Sequence, residues 1–398
     1  GLCFMAMDTG DSSERAGNRQ TGGPDILLGA ADPNGTRLFF TTNPGLESVV
    51  ENELGQRLQA AGTAIVQVVK KPFGFGGQVL AECEGHLPSL EAVVLQMRSV
   101  HHVQIPLHGF ALLYGEHDLR QIERELEALT VEAMVEAKKF RVTTKRTGYH
   151  LFTSMDVQRT AGAVLQRKYG CAVDLENYDV NIRVDVYDRI CLVGLQLSKK
   201  ALSNRYRRRS QPRAALKAPV AYALLQWAQL RPDAKGALLD PFCGSGTILI
   251  EAAQLYPHLE LHGCDIDARA VEGTRVNAVA EGIEDRLHLS QGDARKLSAA
   301  YPAGRFGAIV TNPPYGIRFG QHLNFYRFYR RILQECWTLL DEDGMLVIIV
   351  FKRTEFYRAL VQLGLFKTIE ERVVETGGVF PAVYVLQKIE TVDHPAIE

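Results

Sequence analysis

The chain has 398 residues and a formal net charge of −1, so two or three domains are expected and no overall charge points to a polyanionic partner. No apolar run reaches the roughly 18–20 residues needed to span a bilayer, and the N-terminus lacks the basic stretch and apolar core of a secretory signal. Seven cysteines are scattered with no CxxC pair, which argues against a zinc site or a disulfide framework and for a reducing, cytoplasmic setting.

Residues 1–36 are rich in Gly, Asp, Ser and Asn and predict a disordered N-terminus. Residues 37–113 read β-α-β-β-α-β, the pattern of a ferredoxin-like domain. A strand is expected at 38–42, followed by a helix that Asn43 caps, with Pro44 at its first position. Leu46, Val49, Val50, Leu54 and Leu58 give that helix one apolar face. Strands at 64–69 and 78–83, a helix at 87–98 and a strand at 100–107 complete the unit. His101 and His102 are neighbours on a strand and face opposite ways, so they are not expected to share a metal.

Residues 114–198 predict a helix at 119–136, a strand at 140–148, a helix at 152–170 capped by Ser154 and stopped by Gly170, and two final strands. Here Phe140-Arg141-Val142, Lys145-Arg146, Phe152-Thr153-Ser154, Val173-Asp174-Leu175 and Asp179-Val180-x-Ile182-x-Val184 resemble the THUMP RNA-binding domain. The resemblance implies a preceding ferredoxin-like domain, as here, and recognition of the 3′ end of an RNA acceptor stem. Lys145 and Arg146 are candidate phosphate contacts, although each alone reads equally as a solvated charge.

Residues 199–218 form a basic linker. From Arg189 to Pro232 there is no Asp or Glu, while ten Lys or Arg occur. Such a segment in a near-neutral protein suggests a phosphate-facing surface, with Arg205, Arg207 and Arg208 as RNA contacts. The alternative is a solvated connector, with Tyr206 packed rather than stacked on a base.

Residues 219–390 alternate strands and helices, which predicts a Rossmann-like, doubly wound α/β domain with ligands at the strand C-termini. A tail of 391–398 follows. Leu238–Glu251 (LLDPFCGSGTILIE) reads as a strand ending at Asp240, a glycine turn and a helix from Thr247. Its acid, Asp240-x-x-x-Gly244-x-Gly246, would repel a pyrophosphate and suits a cationic cofactor such as S-adenosylmethionine. The strand ends Asp240, Asp265, Asp293 and Asn312 share one sheet edge and should converge. Asp265 is placed for both ribose hydroxyls, Asp293 before Ala294 for the adenine amino group, and Ile266 for the adenine face. Asp240 and the backbone of Gly244, Ser245 and Gly246 serve the methionine end, and Pro241, Phe242, Thr247 and Asn312 are further candidate cofactor contacts. Asp267 is expected to cap the helix at 268–281. Cys243 reads as a small residue fitting the turn, with no His partner to make it a nucleophile.

A second motif, Asn312-Pro313-Pro314-Tyr315, ends a later strand. The two motifs together resemble the S-adenosylmethionine-dependent amino-methyltransferases, from roughly 204 to 389. The resemblance implies that the tetrad holds an exocyclic base amine: Asn312 Oδ1 and the Pro313 carbonyl accept its two N–H groups, and Tyr315 stacks on the base. Proline at 313 and 314 fixes φ and adds no competing donor. The resemblance also places Leu216 beside the cofactor. The target base must leave its helix or be unpaired, and no strong general base is required. NFYRFYRR (324–331) mixes aromatics with arginines and reads as an RNA contact or as an amphipathic helix.

The tetrad itself serves adenine N6 in DNA and guanine N2 in RNA. The THUMP resemblance points to RNA, and RVVETGGVFPAVYVLQK (372–388) resembles the end of TrmN-type tRNA guanine-N2 methyltransferases, which act on position 6 of the acceptor stem. RlmL-type 23S rRNA enzymes share the architecture and the tetrad. The expectation is an RNA guanine-N2 methyltransferase with tRNA ahead of rRNA as substrate. A DNA adenine-N6 methyltransferase and a non-catalytic RNA-binding protein are the alternatives. Neither a membrane nor a metal is expected, and the oligomeric state is open, with a monomer the simplest case.

Overall fold

A computed structural model describes residues 32–113, 115–210, 215–314 and 323–390. The readings made for residues 1–31, for 391–398 and for Tyr315 lie outside these described residues, as do linker positions 211–214.

The first half runs β1 (Gly35–Thr41), α1 (Glu47–Ala60), β2 (Ile65–Lys70), β3 (Gln78–Glu84), α2 (Ser89–Val94), β4 (His102–Ala111), α3 (Asp118–Ala128), α4 (Glu132–Val135), β5 (Lys139–Thr143), β6 (Arg146–Thr147), α5 (Ser154–Tyr169), β7 (Ala172–Val173), β8 (Val180–Tyr187) and β9 (Ile190–Gln196). These strands build one sheet rather than two. The order is β2-β3-β1-β4-β9-β8-β5-β7, with β6 on β8. The seam is the antiparallel pair β4–β9, from Gln104↔Gln196 to Ala111↔Ile190. β4 meets β1 only from His102 to Gln104, so its long second half is open to β9. The ferredoxin-like and THUMP patterns therefore share a continuous backbone ladder. Each keeps its own core, one around Phe40, Leu54 and Val103 and one around Phe140, Val157 and Ile182.

Four local readings are corrected. β1 starts at Gly35, inside the stretch read as disordered. Asn43 and Pro44 do not begin α1, which starts at Glu47, because the Asn43 side chain is drawn to Glu375 and His101 instead. The helix expected at 119–136 breaks at Leu129, whose extended backbone presents its carbonyl to Lys168 Nζ at 2.6 Å. Thr153, not Ser154, caps α5 in a reciprocal box with Asp156, while Gly170 ends it in the left-handed conformation.

The second half runs α6 (Ala218–Trp227), β10 (Gly236–Asp240), α7 (Thr247–Leu255), β11 (Leu259–Asp265), α8 (Ala268–Glu281), β12 (Leu287–Gln291), β13 (Phe306–Thr311), α9 (Phe325–Leu339), β14 (Leu340–Val350), α10 (Arg353–Leu363), β15 (Phe366–Val373) and β16 (Ala382–Lys388). The sheet order is β12-β11-β10-β13-β14-β16-β15. β12 to β14 are parallel, and β16 and β15 close the sheet antiparallel. Buried apolar clusters cover both faces, one around Leu238, Leu249 and Val310 and the other around Leu239, Ile309 and Ile348. This is the doubly wound layering that brings strand C-termini to one edge.

The two halves are docked through the turn after β1. Leu46 and Val49 join the core cluster of the second half. Gly45 has φ +98, and a Cβ there would lie 2.2 Å from the Val373 carbonyl oxygen. Beside this contact, the fully buried carboxylate of Glu251 on α7 accepts from Arg98 Nη1 and Arg205 Nη2, both at 2.9 Å. Arg98 belongs to the first half and Arg205 to the linker, so one carboxylate ties three segments. Gly45→Ala is expected to open this seam and lower the thermal unfolding midpoint by about 5 °C or more. A midpoint equal to the wild type in a melting experiment would show that the seam does not require the close approach.

Candidate active site

The C-terminal edge of the parallel strands carries a cavity of about 1330 Å³. It is lined by Asp240, Asp265, Asp293 and Asn312, the four strand-end residues expected to meet there. Leu216, Pro241, Phe242, Gly244, Ser245, Thr247, Ile266, Ala294, Pro313 and Pro314 also line it. Gly246 stands behind the wall. It has φ +83 and its Cα packs on Thr274, where a Cβ would come within 2.6 Å of Cγ2. Only glycine holds that turn without displacing α8.

Asp240 ends β10 at 1% exposure. Its Oδ1 accepts from Thr311 Oγ1 at 2.7 Å and from the Phe242 N–H at 3.1 Å. Burial dominates and pushes its carboxyl up to about 7, against the lowering effect of those two bonds. The Thr311 bond ties the acid of the glycine loop to the strand that delivers Asn312. Asp265 accepts from the Gly244 N–H at 3.1 Å and the Asp267 N–H at 3.0 Å. Burial raises its carboxyl, and those bonds oppose it. Asp293 is held below its usual range, first by the Arg295 side chain, whose guanidinium grips both of its oxygens. An adenine amino group would share that carboxylate with Arg295. Asp267 caps α8 through the Arg269 N–H. Cys243 is buried, and burial keeps its thiol protonated.

Asn312 carries the site's unmatched group. Its Oδ1 is buried, and among the described residues no donor reaches it. A buried amide oxygen is costly to leave without a partner, and this one, unpartnered among the described residues, offers an acceptor to a donor entering the cavity. Phe242 and Phe328, 5.9 Å apart between ring centres, wall the cavity beside it.

The structure separates the candidate RNA contacts. Lys145 and Arg207 are exposed, while Arg146 and Arg208 are half-buried. Arg146 donates to the Gly148 carbonyl and Arg208 to the Leu216 carbonyl. Arg205 is corrected: its guanidinium turns inward onto Glu251 and the Arg98 and Leu202 carbonyls. Spacing alone could not distinguish it from Arg207, two residues on. In the stretch 324–331, Asn324 caps α9 and Phe328 and Tyr329 are buried, which is the amphipathic arrangement.

Sequence reasoning missed Ser210 and Arg295 at the cavity, and Thr311 and Asn277, which are buried behind it. Thr311 adjoins the tetrad, and its position was a usable signal; the others become visible only through folding. Among the described residues, Glu260, His262 and His288 gather ligand atoms within 4.8 Å. Glu260 Oε1 already accepts from His262 Nε2 at 2.7 Å and Arg305 at 2.6 Å, so a guanidinium sits where a metal would, away from the cavity.

Comparison with known proteins agrees with this geometry. Residues 205–381 match the family described as RMKL-like, methyltransferase domain, and residues 116–196 match the THUMP domain. The chain is 34% identical over 360 residues to the tRNA (guanine(6)-N2)-methyltransferase of Thermus thermophilus, across 88% of this chain and 99% of that protein. It is 31% identical over 285 residues to the protein of the same name from Archaeoglobus fulgidus, across 64% of this chain and 71% of that one. The crystal structure of TrmN from Thermus thermophilus superposes with a TM-score of 0.73 at 32% identity, covering 89% of this chain and all of that one. A THUMP unit ahead of a doubly wound sheet with this cavity defines a THUMP-containing methyltransferase. The chain belongs to the tRNA (guanine(6)-N2)-methyltransferase family.

S-adenosylmethionine is the cofactor of this family, and the cavity matches its chemistry: carboxylates for its cationic end and hydroxyls, and an apolar wall for its ring. Because Asp240 is neutral in part near pH 7, only its ionised form attracts a cation. Binding a cation favours proton loss, so S-adenosylmethionine affinity is expected to rise from pH 6 to 7.5. Calorimetry should show that rise in the wild type and a flatter profile in Asp240→Asn; equal slopes would remove Asp240 from cofactor binding.

Proposed function

We propose that this protein transfers a methyl group from S-adenosylmethionine to the exocyclic N2 of a guanosine in tRNA, at position 6 of the acceptor stem. The observation that carries the reading is the buried Oδ1 of Asn312 at the cavity, without a partner among the described residues, at the end of the strand whose Thr311 is bonded to Asp240. The tRNA and the position are supported by the relatives' names and by the THUMP unit.

The cofactor supplies an electrophilic methyl group on a sulfonium. The protein's part is to present the amine. An exocyclic guanine amine has two N–H groups and a lone pair delocalised into the ring. Asn312 Oδ1 accepts one N–H and the Pro313 carbonyl the other, which orients the nitrogen and favours the positive charge that grows on it. Pro313 and Pro314 contribute no N–H to compete. Pro313 is buried and Pro314 half-buried at the cavity rim. Nitrogen loses its proton after transfer, so no strong base is needed.

On the RNA side, Lys145, Arg146, Arg207 and Arg208 are the proposed phosphate contacts, joined by the exposed Arg209. Residues 37–198 act as one RNA-reading body because β4 and β9 fuse their ladders. A reducing, cytoplasmic setting is proposed as well, supported by the free, buried thiols of Cys83, Cys171, Cys191, Cys243, Cys264 and Cys336.

Asn312→Ala is expected to lower methyl transfer to tRNA by about 100- to 1000-fold while S-adenosylmethionine still binds. Transfer from labelled cofactor, followed by nucleoside mass spectrometry, reads the product directly. Wild-type N2-methylguanosine in tRNA that persists in the variant would sink the assigned role. Product found only in ribosomal RNA would move the substrate to that class.

A further inference from the structure

The linker and the glycine loop meet on α8. Gly273, Asn277 and Glu281, spaced i, i+4 and i+8, form one stripe of that helix. The linker lies along this stripe. Arg207 donates its N–H to Glu281 Oε1. The N–H groups of Arg209 and Ser210 both donate to Asn277 Oδ1, at 3.0 and 2.9 Å. Asn277 Nδ2 donates to the Ser210 carbonyl at 2.8 Å and to the Ser245 carbonyl at 2.9 Å. Its two donors and two acceptor sites are thus all used. A flipped amide would set donors against N–H groups and oxygen against carbonyls, so the network admits one orientation. The side chain is 1% exposed.

The two segments it joins belong to one cavity wall. Arg209, Ser210, Ala215 and Leu216 line the cavity from the linker, and Ser245 lines it from the glycine loop. Thr274, on the same helix, secures the neighbouring carbonyl of Gly244 at 2.7 Å. At Gly273 the helix surface is bare: a Cβ would lie 2.8 Å from Ser210 Oγ. Gly273 leaves room for the linker, Asn277 fastens it, and Thr274 holds the loop.

We propose that Asn277 is a positioning residue that locks the basic linker to the cofactor loop, so that cofactor binding and ordering of the linker are one coupled event. The inference rests on the cofactor cavity proposed above. Its consequence for the reaction is direct: the exposed guanidinium groups of Arg207 and Arg209 are presented to RNA in the geometry that the filled cofactor site sets. Coupling of this kind is reciprocal between the two sites.

The test uses the full chain and S-adenosylhomocysteine, without RNA. Limited trypsin digestion with mass spectrometry reads cleavage after Arg207 and Arg209, and calorimetry reads ligand binding. In the wild type, saturating ligand is expected to slow linker cleavage by about tenfold. In Asn277→Ala, at ligand concentrations that calorimetry shows to be saturating, the slowing is expected to vanish. A merely structural role for Asn277 would lower the melting temperature and leave that protection in place. Gly273→Ala provides a second variant, because alanine is a strong helix former whose Cβ would lie 2.8 Å from Ser210 Oγ and crowd the linker, while it adds one methyl group to the cavity that Gly273 also lines. It too should bind ligand and lose protection. Retained protection in both variants, or a wild-type linker whose cleavage ignores the ligand, overturns the proposal. A wild type that binds no ligand overturns the cavity reading and this inference together.

Discussion

A carboxylate buried at the end of β10 is the constraint around which the catalytic half is arranged. Taking Asp240 out of water disfavours its charge, and among the described residues the Thr311 hydroxyl and the Phe242 N–H compensate. Both come from elements that define the cavity. The hydroxyl belongs to the strand that ends in Asn312, and the N–H belongs to the glycine loop. The acid therefore ties the glycine loop to the strand that ends in Asn312 while its charge remains incompletely satisfied. A cationic ligand completes the arrangement.

The same economy governs the union of the two halves. Glu251 is fully buried, and a buried carboxylate stands only if cations meet it. Arg98 does so from the first half and Arg205 from the linker. Gly45 lets the backbone after β1 press against Val373, and Asn43 reaches Glu375. A distance set by packed backbone and a buried charge is stiff. In an enzyme whose THUMP-containing sheet and cavity lie in different halves, that stiffness relates the two. The linker adds a second route across the boundary, along α8 to the glycine loop.

Much of the catalytic half was legible because its signals are local. The helix after the glycine turn starts at Thr247 and the next spans Ala268–Glu281, as read from the sequence, and Asp267 caps the second as its position suggests. The convergence of Asp240, Asp265, Asp293 and Asn312 followed from strand alternation alone, since parallel strands end on one edge. Readings failed where a side chain had a stronger distant partner. Asn43 looked like a helix cap, but Glu375 lies 332 positions away and claims it. Arg205 looked like its neighbours in a basic run, but Glu251 claims it. The single sheet spanning residues 35–196 was hidden for the same reason: nothing in β4 by itself names β9 as its partner.

The amino-acid sequence by itself determined the class of the fold, the order of its elements and the chemistry at each strand end, because hydrophobic period, glycine turns and short polar motifs act over a few residues. The resemblance of its motifs to known families led to the same cofactor and substrate class. Tertiary structure alone decided which charges face water and which are consumed inside, that Asn312 Oδ1 is buried without a partner among the described residues, and that Asn277 joins linker to loop. Those properties depend on burial and on contacts between residues far apart in the chain. Electrostatic cost and hydrogen-bond satisfaction are set by the completed surroundings of a group, which no short stretch of sequence contains.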